Sequence, residues 1–183
     1  MRYLLFVISV FCLTWMNSHT AQAQSFVNRR ANYFETFVEV NEPIDSLLIH
    51  KRKREMIAFH TGKKVKRYII SLGMMPEGKK EVEGDMKTPE GLYSIFTRDS
   101  LSAYHKNLGI SYPNAADSLH ALDLQKSPGG DIKIHGFPND HTKYQEKEFL
   151  NTDWTLGCIS VSDFEIDELF RWVIPNCPIL ILP

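Results

Sequence analysis

Cysteine is scarce, with three in 183 residues, too few for the stapled scaffold of a small disulfide-rich protein. No apolar run beyond the first sixteen residues approaches the roughly 20 that a membrane span needs. Neither sign of charge dominates. The 21 Lys and Arg against 22 Asp and Glu supply no basic face for nucleic acid and no field to steer a charged polymer. Internal repeats, low-complexity tracts and compact H-x-x-x-H or H-E-x-x-H metal motifs are also missing. These absences leave one domain of ordinary size with a hydrophobic core.

The amino terminus is different in kind. Arg2 supplies a positive start, Leu4 to Met16 is mainly apolar, and Ala21-Gln22-Ala23 is a small-x-small cleavage site. Residues 1–23 therefore read as an export signal, with a product starting at Gln24 in the periplasm or cell envelope. Cys12 lies inside that signal without the small residues a lipid-attachment site requires, so it is read as discarded. Without the signal, 160 residues carry 20 basic and 22 acidic side chains. Residues 24–45 form a polar leader with no clear element, and 46–183 form the domain. The cluster "HKRKRE", His50 to Glu55, reads as a solvated hairpin tip.

Short strands dominate the first half. "SLLIH" (46–50) and "MIAFH" (56–60) flank the charged tip as a hairpin, and "VKRYIISL" (65–72) and "GLYSIF" (91–96) continue the pattern. Between the last two, glycines and prolines mark a surface loop, with Gly84, Thr88, Pro89 and Gly91 as turn-formers. A short helix is expected over 115–125. "DIKIHGF" alternates, placing Ile132 and Ile134 on one face and Lys133 and His135 on the other. The hydrophilic run 138–153 reads as a lid-like excursion. In "CISV", Ile159 and Val161 share the core face while Cys158 and Ser160 face away. Ser162 and Glu165 form an S-x-x-E capping box, after which Ile166, Leu169, Phe170 and Val173 recur at helical spacing. "PILIL" (178–182) reads as a buried closing strand.

Two cysteines remain after the signal is removed, Cys158 and Cys177. In an oxidising compartment they could form a staple. Their settings differ, however: Cys158 follows a flexible turn at Gly157, whereas Cys177 sits between prolines beside an apolar strand. The alternative is a nucleophile. A thiol with a pKa of about 8.5 needs a base to become a thiolate, and His135 is the best candidate. Backbone N–H groups around Gly157 and Cys158, and the Thr155 hydroxyl, could stabilise an oxyanion. A third possibility is a metal site drawing on His135, Asp140, His141 and His120. Spacing alone leaves all three open.

Four blocks in order, "EGDMKTPEGLYSIF", "AYHKNLGISYPNAADS", "GGDIKIHGF" and "DWTLGCISVSDFEIDEL", resemble the L,D-transpeptidase catalytic domain of the YkuD type. Within it, they are most similar to the murein-transpeptidase branch of the YafK group. The resemblance runs from Ser46 to Pro183. It implies a mostly β fold, a β-sandwich with short helices, one of them directly after the cysteine strand. It also implies a His-Gly signature, here His135-Gly136, followed by Ser/Thr-x-Gly-Cys, here Thr155-Leu156-Gly157-Cys158. By that resemblance Cys158 is the nucleophile, His135 its base and the Gly136 carbonyl the group that orients the imidazole.

The implied reaction is acyl transfer on peptidoglycan stem peptides through a thioester, with release of D-alanine, and without metal or organic cofactor. Tyr104, Tyr112 and Asn114 are candidates for a substrate groove, although the same block could equally serve to shape a loop. Two positions depart from many family members. Leu156 replaces a histidine, and Ser160 replaces an arginine that could clamp a substrate carboxylate. Both fit the YafK-like branch, and they leave open whether an amine or water receives the acyl group; a non-catalytic wall-binding module that kept the fold is the further alternative.

Overall fold

A computed structural model describes residues 39–183. The expected export signal and most of the expected polar leader lie outside the described residues. Eight strands follow in chain order: β1 (Ser46–His50), β2 (Glu55–His60), β3 (Lys63–Ile69), β4 (Gly91–Ser102), β5 (His105–Ile110), β6 (Lys133–His135), β7 (Ile159–Ser160) and β8 (Pro178–Leu182). Among the described residues three short helices are interleaved: α1 (Ala115–Asp123), α2 (Lys143–Asn151) and α3 (Asp163–Trp172). The strands form one sheet in the order β3-β2-β1-β8-β4-β5-β6-β7.

That sheet curls until its two ends meet. Immediately after β3, Ser71 bridges Ser160 of β7, each backbone N–H donating to the other's carbonyl at 2.9 Å. The inside of the curl is a single apolar cluster with members from every strand, among them Ile49, Met56, Tyr68, Ile95, Leu108, Ile134, Ile159 and Ile181. The leader's end joins it through Val40 and Ile44. The mostly β fold with short helices is thus observed, with α3 directly behind the cysteine strand.

α3 forms for the reasons its sequence supplies. Ser162 Oγ accepts from the Glu165 N–H, and the Glu165 carboxylate accepts from the Ser162 N–H, closing the capping box. Ile166 and Leu169 are fully buried, each worth about 1.5–3 kcal/mol of burial. Glu165 and Glu168 are buried as well, which the apolar periodicity did not reveal. Glu168 accepts from Lys66 Nζ at 2.7 Å, the Tyr68 hydroxyl at 3.0 Å and the Val40 N–H at 2.8 Å.

Several elements differ from the sequence reading. β4 runs to Ser102 and pairs with β5, a strand whose Asn107 and Gly109 hide it. A Cβ at Gly109 would lie 2.0 Å from Thr97 Oγ1. The hydrophilic run contains α2, whose start is signalled by Thr142 and Gln145: the Gln145 side chain accepts from the Thr142 N–H at 2.7 Å. β8 does not close the sheet but lies between β1 and β4, and only Ile179 and Ile181 of its residues face the core.

The charged hairpin tip is not uniformly solvated. Arg52 and Lys53 are exposed, but Lys51 is only 2% exposed. Lys51 Nζ donates to the carbonyls of Gly78 at 2.6 Å and Thr88 at 3.0 Å, and to Glu90 Oε1 at 2.8 Å. Burial, more than the nearby charges, lowers its pKa. Arg54 pairs with Asp153, which also accepts from the Leu72 N–H at 3.0 Å. The tip is therefore a brace for the loop 73–90, and that loop is not wholly at the surface, since Thr88 is fully buried and Lys80 nearly so.

Replacing Lys51 with alanine strands Glu90 and two carbonyls, and is expected to cost roughly 3 kcal/mol. Urea unfolding of Lys51→Ala measures this; an unchanged midpoint would return Lys51 to the status of a solvated side chain.

Candidate active site

Two neighbouring strands position the two candidate groups. β6 and β7 run parallel, with Ile134 opposite Ile159 and His135 opposite Ser160. Alternation along a strand puts Lys133 and His135 on one face of β6. Cys158 and Ser160 share the corresponding face at β7, while Ile132, Ile134, Ile159 and Val161 are buried in the core. His135, Cys158 and Lys133 line one pocket of ≈ 370 Å³, together with Tyr104, Trp154 and Leu156.

Close backbone approach requires glycine at 157, and glycine at 136 leaves room for a neighbouring side chain. Gly157 has φ +131°, and a Cβ there would lie 2.7 Å from the Lys87 carbonyl oxygen, so a side chain meets both strain and a clash. At Gly136 a Cβ would lie 2.4 Å from Asp163 Oδ1. Thr155 clasps the turn: its hydroxyl donates to the Cys158 carbonyl at 2.7 Å and accepts from the Gly157 N–H at 3.2 Å. The Thr155 hydroxyl and the Gly157 N–H, both expected as oxyanion donors, are thus engaged within the turn itself.

The imidazole of His135 is 5% exposed. The Tyr104 ring lies 4.7 Å away and the Trp154 ring 5.5 Å away in an edge arrangement. Nδ1 is 2.7 Å from the Gly136 carbonyl oxygen. A carbonyl only accepts, so Nδ1 carries the proton and Nε2 is the basic nitrogen. Burial pulls the pKa down to about 4, opposed by the Gly136 hydrogen bond. Burial likewise raises the Cys158 pKa, opposed by a hydrogen bond from the Lys133 backbone. The resting pair is therefore a neutral thiol and a neutral imidazole. Cys158 Sγ lies 3.6 Å from the Asp131 carbonyl oxygen.

Of the three groove candidates, Tyr104 lines the pocket. Tyr112 is buried, with its hydroxyl on the Pro128 carbonyl at 2.9 Å, and Asn114 caps α1 by accepting from the Asp117 N–H; neither lines the pocket. Cys158 and Cys177 are both free, and burial pushes the Cys177 thiol up to about 12. His120 pairs with Glu81, and His141 with Glu146 and the Pro138 carbonyl. Among the described residues, no three His, Cys, Asp or Glu side chains converge as metal ligands would. Trp154 and Lys133 are pocket residues to which the sequence reading gave no role. An aromatic inside the cysteine block was the available signal for Trp154.

Residues 44–181 match the family model described as the L,D-transpeptidase catalytic domain, YkuD. A protein of Escherichia coli (strain K12) named "Putative L,D-transpeptidase YafK" is 32% identical over 99 residues, which is 52% of this chain and 32% of that protein. Among solved structures, Bdellovibrio bacteriovorus Bd1075 superposes with a TM-score of 0.55 at 25% identity, over 80% of this chain and 51% of that one. The helical cell shape determining protein Pgp2 from Campylobacter jejuni gives a TM-score of 0.56 at 25% identity, over 77% and 48%. The chain thus spans about a third of the curated relative and about half of these two structures.

The buried imidazole predicts an acid sensitivity. Between pH 6.5 and about 4 the unfolded chain binds a proton at residue 135 that the folded chain refuses. Stability therefore falls as pH drops through that window, by roughly 3 kcal/mol. Thermal unfolding across pH should show a smaller loss for His135→Gln; parallel losses in both proteins would contradict a buried neutral His135.

Proposed function

The chain belongs to the L,D-transpeptidase catalytic-domain family, and on that footing we propose that it is an exported, cysteine-dependent L,D-transpeptidase acting on peptidoglycan stem peptides. The observation that carries this reading is the placement of His135 and Cys158 in one pocket, with Nδ1–H held by Gly136 and Nε2 left as base. In the proposed reaction His135 Nε2 takes the thiol proton as Cys158 sulfur attacks the carbonyl on the L-centre side of an L,D peptide bond. We assign the oxyanion to the backbone N–H of Cys158, within a turn shaped by Thr155 and Gly157.

The tetrahedral adduct collapses to a thioester. The departing D-alanine amine receives the proton from His135. An acceptor amine then gives a proton back to His135 as it attacks the thioester, and the Cys158 thiol is restored. ATP is not consumed, because the thioester conserves the energy of the broken amide. No residue in this scheme calls for a metal or organic cofactor.

Hydrolysis is the second reading. Ser160 stands where many family members have an arginine, and the lining cation Lys133 is already paired with Asp131 at 2.7 Å. A weakened hold on an incoming carboxylate favours water as acceptor, giving a carboxypeptidase or endopeptidase. No helix among the described residues is long and apolar enough to cross a membrane, and the proposed site of action is the envelope. Pgp2 is a helical cell shape determining protein, and a role at the level of the cell wall is proposed here by extension.

Incubation with muropeptides and separation of products by mass tests the proposal. D-alanine with dimers marks transpeptidation, and D-alanine with shortened monomers marks hydrolysis; no product at all would remove both. Cys158→Ala and thiol alkylation are expected to abolish turnover, while Cys177→Ala and chelation leave it intact. The acid limb of kcat/KM should lie near 4, below the usual imidazole range.

A further inference from the structure

Behind the hydrogen-bond partner of His135 stands a carboxylate. The peptide joining Gly136 to Phe137 is bonded at both ends: its carbonyl accepts from His135 Nδ1–H at 2.7 Å, and its N–H donates to Asp163 Oδ1 at 2.8 Å. Glycine at 136 leaves room for this approach, since a Cβ would lie 2.4 Å from the same carboxylate oxygen. Asp163 opens α3, where the helix N-terminus favours an anion. The capping box and the buried Ile166 and Leu169 hold that helix in place.

We propose that Asp163 is a positioning residue that stabilises the His135 imidazolium through the Gly136–Phe137 peptide. An anion accepting from an amide N–H polarises the amide and makes its carbonyl a stronger acceptor. Asp163 thereby does across one peptide what a carboxylate in direct contact does for a histidine base. The inference rests on the reading of His135 as the base for Cys158.

Other charged or titratable groups face this relay. Lys133 lies on the strand of His135, with Tyr104 and Cys158 around the ring. His141 Nε2 lies 3.7 Å from Asp163 Oδ2, with Glu146 behind it. His105 approaches Gly136 and pairs with Asp167, as does Lys106. His141 is the group that would compete for the carboxylate when protonated.

Asp163→Asn keeps an oxygen to accept from the Phe137 N–H and removes the charge. The His135 imidazole is titrated by NMR, and Cys158 is alkylated with the neutral reagent iodoacetamide across pH. The expected result is a lower His135 titration midpoint and alkylation slowed by about two- to fivefold, with a melting temperature lowered by a few degrees at most. Titration and alkylation equal to those of the parent would overturn the proposal and leave Asp163 a structural residue. Should Asp163→Asn not fold, Asp163→Ser, also neutral and suited to a helix start, is read in the same way. Neither measurement uses a wall substrate, so absence of muropeptide products would refute the proposed activity without touching this result. Alkylation unaffected by His135→Gln would instead refute the Cys158–His135 pair itself.

Discussion

The joining of the two sheet ends by Ser71 and Ser160 is the constraint on which the site depends. β7 contains two residues, too few to hold its own position by strand pairing on one side alone. Its other side is satisfied by the segment after β3, where Ser71 exchanges two hydrogen bonds with Ser160, Thr155 N–H donates to Leu72 O, and Met74 N–H donates to Thr155 O. An open edge here would expose unpaired backbone groups and leave the cysteine turn without a wall. Gly73 and Gly157 pack so closely that a Cβ on Gly73 would lie 3.1 Å from Gly157 Cα. The brace from the hairpin tip, through Arg54, Asp153 and Leu72, reinforces the same junction.

Burial then sets the chemistry. The imidazole sits between Tyr104 and Trp154, where charge is costly, so it rests as a free base throughout the neutral range. The thiol is raised by the same cause. On the proposed reading the pair holds little standing thiolate, and His135 takes the proton as the sulfur reacts. The Gly136 carbonyl fixes the tautomer, which makes the geometry of the 136–137 peptide as consequential as the identity of the histidine.

Much of this was legible in the residues. Alternation in "DIKIHGF" and "CISV" placed His135 and Cys158 off the core face, and the capping box with its apolar spacing located α3. Where the reading missed, tertiary contacts outweighed local pattern. Lys51 looked solvated because its three partners lie 27 to 39 positions away. β5 was hidden because its stability comes from pairing with a long β4 rather than from its own alternation. Tyr112 and Asn114 sit within a family-like block, yet one packs and the other caps a helix.

The sequence by itself determined which groups could react, which faces of two short strands they occupy, and where glycine had to stand. These follow from local periodicity and from residue chemistry, both readable over a few positions. The tertiary structure alone decided that the two faces meet in one pocket, that the imidazole is desolvated to a low pKa, and that Asp163 comes to stand behind the Gly136–Phe137 peptide. Those facts arise from a curled sheet that brings together segments distant in the chain, and no local pattern encodes the distances at which they stop.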